Sequence, residues 1–294
     1  MLTYTVTTSD HTRRLESFLR TLMPQASAGY TRKLIKSGAA KLNGAASTPN
    51  TFLSIGDSIT LKESAATTAL LTETRPALDI LLEDDQIIIA NKPPGLPMHQ
   101  TAEREDNLVD VGMEYMTWRG TECKLYPVNR LDRGTSGVVI LAKSSSNAGI
   151  YGRQVKETGL DKLYLALVEG LPPMSGSICE PLDGKQSETR YTILLPGKGC
   201  TLLAVVPVSG RMHQIRRHLE TIGHPVLGDK RYGGHELPAY EGFALHSFKT
   251  VLIRPDCGPL TVCAPLPDNL LALCGQSSID REKLLAAVKK LIQS

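Results

Sequence analysis

No stretch of the 294-residue chain approaches the roughly 20 consecutive apolar residues of a membrane-spanning helix. The opening segment, MLTYTVTTSDHTRR, lacks the basic stretch and apolar core of a secretory signal. Both absences exclude membrane insertion as an expectation and predict a cytoplasmic protein. The six Cys, at 123, 179, 200, 257, 263 and 274, never form a C-x-x-C pair, which argues against a zinc ribbon or redox motif, and they read as reduced thiols. His213 and His218 lie five apart, unlike the pair of H-E-x-x-H, so no metal is predicted. Gly184-Lys185 has Cys179 where a phosphate loop needs its first Gly, so no nucleotide cofactor is predicted either. No repeat of solenoid period is present.

A large charge of one sign is missing too: the formal net charge is +3, with ordinary contents of 41% hydrophobic and 21% charged residues for a globular chain. Its distribution is uneven. Residues 1–62 carry eight Lys and Arg against three acids, a net of +5, and the remainder carries 25 against 27, a net of −2. A polyanion would be gripped at the amino-terminal end.

That end reads as a compact unit. Helical spacing of Leu15, Phe18, Leu19 and Leu22 predicts a helix over Thr12 to Met23, capped by Asp10 or Thr12 and ended by Pro24. A second helix is predicted from Ala28 to Ser37, then a strand closed by Asn43-Gly44 and another near Ile55 to Leu61. Residues 63–76, rich in Ala and Thr, read as a linker.

Beyond it, strands are predicted at Leu78 to Leu82 and Ile87 to Ala90, followed by a loop at Asn91 to Gly95 that its two prolines keep out of a ladder. A helix is expected from Leu108 through Trp118, capped by Asp106 or Asn107, and another from Ser145 to Lys156, stopped near Gly159. Strands follow at Lys162 to Val168, Thr189 to Leu195, Thr201 to Val208, Phe243 to Phe248 and Val251 to Arg254. Met212, Ile215, Leu219 and Ile222 mark a helix closed by Gly223, and Asp280 to Ile292 a last amphipathic one.

The chemistry concentrates in Tyr126 to Lys143, YPVNRLDRGTSGVVILAK, where a charged loop runs into an apolar strand. Asp132 stands between Arg130 and Arg133, and reads either as a turn residue or as a carboxylate fit to act as nucleophile or base. By the same residue-level reading Tyr164 is a packing residue of a strand and Arg216 a helical surface cation.

The central stretch resembles the signature H-R-L-D-x-x-T-S-G of RluA-type pseudouridine synthases, with Asn129 where the family usually has His. NKPPGLPMH at Asn91 to His99, KLYLALVEG at Lys162 to Gly170 and SGRMHQIRRHLETIGHPVLGDKRYG at Ser209 to Gly233 follow the family's order. R-L-E-S-F-L, T-R-K-L-I-K-S-G, K-L-N-G and I-G-D-S-I resemble the alpha-L RNA-binding module.

The resemblance implies an α+β fold with a mixed, largely antiparallel, bent sheet and flanking helices, preceded by a small α/β RNA-binding module. The implied domains are 1–62 for that module, 63–76 for the linker and 77–294 for the catalytic part. It implies Asp132 as the catalytic carboxylate, Arg216 as its partner and Tyr164 as the platform for a base. Arg130, Asn129, Lys92, Arg211 and His213 would surround the substrate, and Arg13, Arg32, Lys33, Lys36 and Lys41 would contact RNA. The implied activity is site-directed isomerisation of uridine to pseudouridine in RNA by a monomer, with no metal or cofactor. Large-subunit ribosomal RNA is the expected substrate, with transfer RNA as another. Asn129 leaves a second reading, a catalytically inactive RNA-binding or ribosome-assembly factor.

Overall fold

The computed structural model describes residues 1–294 apart from 7–9, 24–25, 72–77, 102–104, 120, 122, 158–159, 239, 256 and 294. The chain divides into two compact units, one of residues 1–77 with 111–124 and one of 78–110 with 125–294.

The first unit contains β1 (Leu2–Thr5), α1 (Leu15–Leu22), α2 (Ala28–Lys36), β2 (Ala40–Leu42), β3 (Ser58–Leu61) and α3 (Ala65–Leu70). Its antiparallel sheet has the order β1-β3-β2. The apolar faces of both main helices bury Leu15, Leu19, Leu34 and Ile35 against Leu53, Ile59 and Leu61. Asn43 and Gly44 take positive φ of 50° and 77° in the expected turn, but β3 arrives only at Ser58.

Two expectations fail here. Neither Asp10 nor Thr12 caps α1, whose first flanking residue is Arg14; the Asp10 carboxylate accepts instead from Arg13 at 3.0 Å and Arg119 at 3.1 Å. The linker contains α3, because the Ser64 hydroxyl accepts the Thr67 amide and so supplies an N-cap. Pro24, Pro76 and Gly159, expected as stop signals, lie outside the described residues.

The second unit follows in chain order with β4 (Ile80–Glu83), β5 (Ile87–Lys92) and the start of α4 (Leu108–Trp118), where the Asn107 side chain accepts the Asp110 amide at 3.0 Å. Then come β6 (Tyr126–Pro127), β7 (Ser136–Ala142), α5 (Ser145–Glu157), β8 (Asp161–Glu169), β9 (Ser175–Ile178), β10 (Thr189–Pro196) and β11 (Cys200–Pro207). The chain closes with α6 (Gln214–Thr221), β12 (Leu245–Arg254), β13 (Gly258–Cys263), α7 (Asp268–Gln276) and α8 (Arg281–Gln293).

One ten-stranded sheet has the order β4-β5-β7-β12-β8-β11-β10-β9, with β13 on β12 and β6 on β7. The pairings are antiparallel except β7 with β12, which gives the mixed, largely antiparallel sheet expected of an α+β fold. The two strands expected around Phe248 are one, β12, in which a bulge between Ser247 and Lys249 absorbs the break in alternation.

All seven residues of β7 are buried, as a strand covered on both faces requires. Its parallel contact with β12 is confined to Ser136–His246 and Gly137–Ser247. There Gly137 has φ 110°, and a Cβ on it would stand 2.2 Å from the Ser247 carbonyl oxygen. Only glycine fits, so the strand that follows the Asp132 loop is anchored by a missing side chain. Gly137→Ala is expected to cost about 3 kcal/mol or more, by backbone strain and overpacking together, measured as the fall in unfolding free energy in urea; a loss within about 0.5 kcal/mol, the range of an ordinary surface substitution, would contradict the close approach.

Candidate active site

The Asp132 loop enters β7 through a tight turn in which the Thr135 amide donates to the Asp132 carbonyl at 3.0 Å. A Cβ at Gly134 would fall 2.6 Å from the Phe243 ring, so the turn packs directly on that aromatic. Buried Asn129 fastens the loop to its own strand: its Oδ1 accepts from the Ile140 amide at 2.8 Å and its Nδ2 donates to the Val138 carbonyl at 3.2 Å. The amide side chain thus extends the β6–β7 ladder as a peptide would.

Lys92 plays a similar part. It is 0% exposed and donates to the carbonyls of Pro93, Leu96 and Arg133 at 2.8, 2.8 and 3.0 Å, tying the proline loop to the Asp132 loop. Burial pushes its pKa down to about 7, against the pull of Asp132 and Glu241. Lys92 and Asn129, expected to surround the substrate, have these polar atoms engaged by backbone.

Arg216, on α6, is the centre of the site. Its Nη1 donates to Asp132 Oδ2 at 2.8 Å, while Nε and Nη2 donate to the two oxygens of Asp229 at 2.6 and 2.8 Å. The guanidinium also lies 4.1 Å from the Phe243 ring centroid and 4.9 Å from that of Tyr232. Burial would lower its pKa, but the two carboxylates outweigh that and raise it. Asp229, 1% exposed, was not singled out from the sequence, although Gly228-Asp229-Lys230 lies inside a quoted motif. Its signal was chemical: a buried Arg needs a carboxylate.

His213 flanks α6 in the left-handed conformation at φ 54°, with Nδ1 2.9 Å from the Tyr232 hydroxyl. Its Nε2 is 3.7 Å from Asp132, beyond a hydrogen bond. Burial lowers its pKa from that of a free imidazole, against the pull of Asp132. Gln214 fixes the loop before it, its Oε1 accepting from Ser209 and the Arg211 amide and its Nε2 donating to the Glu188 carbonyl.

Asp132 faces an open cleft of about 1060 Å³ and a smaller recess of about 300 Å³, both lined by Arg130, Arg211, His213 and Arg216 as well. Tyr164 stands in the recess, and burial pushes its phenol up to about 12, so it stays protonated at neutral pH. Arg130 is exposed and pairs with no described residue; Arg211 donates to the Gln186 carbonyl at 3.3 Å. Asp132, Tyr164, Arg216, Arg130, Arg211 and His213 are therefore brought together. No cluster of three or more His, Cys, Asp or Glu among the described residues could hold a metal ion.

In the first unit, Arg13 is largely withdrawn: it pairs with Asp10 and donates to the Arg119 carbonyl at 2.7 Å. Expected to contact RNA, Arg13 is instead desolvated and paired within its own unit. Arg32 pairs with Glu16 at 2.9 Å while remaining more than half exposed, Lys33 and Lys36 are exposed, and Lys41 is half-buried.

The sequence and the fold are similar to those of known proteins. A sequence model of the RNA pseudouridylate synthase family matches residues 86–221. Ribosomal large subunit pseudouridine synthase C of Buchnera aphidicola subsp. Schizaphis graminum is 30% identical over 286 residues, covering 86% of this chain and 90% of the relative. The protein of that name from Escherichia coli O157:H7 is 28% identical over 299 residues, covering 90% and 93%. Human RNA Pseudouridylate Synthase Domain Containing 1 shares the fold, with a TM-score of 0.58 at 22% identity over 74% of this chain and 97% of its own. The sequence relatives, pseudouridine synthases by name, define the class as an RNA-modifying isomerase. The chain belongs to the RNA pseudouridylate synthase family and is an RNA pseudouridine synthase.

Removing Asp229 would leave Arg216 buried with half its partners gone. Asp229→Ala is expected to lower the unfolding free energy by about 3 kcal/mol or more, the usual result of breaking a buried ion pair. Denaturant unfolding checks this, and near-wild-type stability would show that the pair is solvated.

Proposed function

We propose that this synthase isomerises uridine in large-subunit ribosomal RNA, with Asp132 as the reacting carboxylate, Arg216 as its electrostatic partner and Tyr164 as the platform for the base. The observation that carries the reading is the fixed Arg216–Asp132 contact at 2.8 Å at the wall shared by an open cleft and a base-sized recess. The relatives' names support the ribosomal substrate.

In the reaction the bond from N1 to C1′ breaks, the uracil turns within the site, and C5 bonds to C1′; the C5 proton leaves and N1 regains one. No net redox change occurs. A carboxylate held by a preorganised guanidinium stabilises charge without reorganising during the step. The protonated Tyr164 offers a face for stacking. Arg130, exposed and unpaired among the described residues, is placed at the cleft to meet the RNA as the nucleotide leaves its stack. Asn129, bound to β7 at both ends of its amide, fits a positioning role and so weakens the inactive-factor reading. We take the enzyme to act as a cytoplasmic monomer. Among the described residues no helix is long and apolar enough to cross a membrane.

Asp132→Asn keeps the shape and removes the charge. Tritium release from 5-labelled uridine under single-turnover conditions is expected to fall to background while RNA affinity survives; wild-type-like release would remove Asp132 from the mechanism.

The amino-terminal unit is proposed as a separate RNA grip, resting on its net charge of +5 and on exposed Lys33 and Lys36. Replacing both Lys by Gln is expected to reduce the log-log salt dependence of binding by ~0.7 per lost single-strand phosphate contact. An unchanged slope on the physiological RNA would refute this.

A further inference from the structure

Side chains alternate along a strand, so Lys162 and Tyr164 share one face of β8, and both line the recess that holds Asp132. Much of the rest of that recess is apolar, including Val128, Val155, Pro207 and Leu245. Lys162 is half-buried there and has no hydrogen bond or ion pair with any described residue. An ammonium drawn out of water without a partner is costly, and Lys is seldom buried unless paired. Burial accordingly lowers its pKa. The other cations of the site are differently placed: Arg216 is held by two carboxylates, Lys92 by three carbonyls, and Arg130 is exposed. Lys162 keeps its donors uncommitted, which points to an acceptor on the ligand.

We propose that Lys162 is a specificity-determining residue that donates a hydrogen bond to O4 of the uracil resting against Tyr164. The proposal rests on the reading that the recess takes the flipped base. A phosphate is the less suitable occupant: Arg130, Arg211 and Arg216 line both spaces, but the recess is the smaller one and sets Val128, Val155, Pro207 and Leu245 beside Tyr164, whereas exposed Arg231 lines the open cleft and not the recess. Uracil and cytosine differ at position 4, one presenting a carbonyl acceptor and the other an amino donor. An ammonium can only donate. It therefore pairs with O4 of uracil and meets the cytosine amino group with donor against donor, leaving both unsatisfied. A site built around one such bond rejects the analogue that cannot make it.

The test uses full-length Asp132→Asn protein, in which binding is separated from turnover, and an RNA fragment containing the uridine that the unaltered enzyme modifies. Affinity is compared with that for the same fragment carrying cytidine at that position. The expected preference for uridine is about tenfold or more. Lys162→Met in the same background is expected to bind both fragments alike. Lys162→Gln is expected to do the same, because an amide can pair with either base; it decides the matter if the Met variant does not fold. Equal binding of the two fragments by the Lys162-containing protein, or an undiminished preference in the folded variants, would overturn the proposal. Tritium release by the unaltered enzyme on the uridine fragment tests the underlying reading separately: its absence sinks both readings, while release together with a persistent preference sinks this one alone.

Discussion

A single buried guanidinium holds the walls of the cleft in place. Arg216 lies between two carboxylates and within cation–π distance of two aromatic rings, and each contact restrains a different part of the chain. Asp229 ties α6 to the turn that follows it, Asp132 ties α6 to the entrance of β7, and Phe243 ties both to the start of β12. A buried ion pair is a poor source of net stability, because desolvating the charges offsets most of their attraction. What it provides is a fixed geometry, and the bidentate pairing with Asp229 leaves one guanidinium nitrogen aimed at Asp132 in a set direction.

Around that centre, polar side chains do work usually left to backbone. Asn129 completes a ladder where β6 ends, Lys92 collects three carbonyls from two loops, and Gln214 links the loop before α6 to the carbonyl of Glu188. Loops that converge on a cleft cannot pair with one another as strands do, and their inward carbonyls would be buried without partners. Long polar side chains satisfy those groups while keeping the loops irregular, which the approach of an RNA requires. Removing such a side chain would therefore disturb the site without touching the substrate.

This explains which parts of the molecule the sequence revealed. β7 was legible as a continuous apolar run, α6 as a periodic one, and Asp132, Tyr164 and Arg216 as members of ordered motifs. Periodicity failed where a bulge interrupts β12, and composition failed where Ser64 caps a helix inside an apparent linker. Residue type alone could not separate exposed Lys33 and Lys36 from largely buried Arg13, because the difference is made by Asp10 and Arg119, the latter over a hundred positions away. Lys92 shows the same limit: its place in a motif suggests a substrate contact, and only the fold shows its three carbonyl partners. Asp229 was invisible as a partner because the sequence shows that Arg216 needs a carboxylate but not which one.

The remaining difficulty for such a site is its own charge. Arg216 with Asp132 and Asp229 sums to one negative charge, located where a polyanion must come close. Exposed Arg130, Arg211 and Arg231 line the open cleft around it, so the attraction is displaced from Asp132 to its surroundings. The two layers respond differently to salt. Exposed cations are screened over a Debye length of about 8 Å at physiological ionic strength, whereas the buried contact between Arg216 and Asp229 is shielded from mobile ions. Binding can therefore weaken as salt rises while the geometry at Asp132 persists, and this separation lets the carboxylate keep its orientation beside an approaching polyanion.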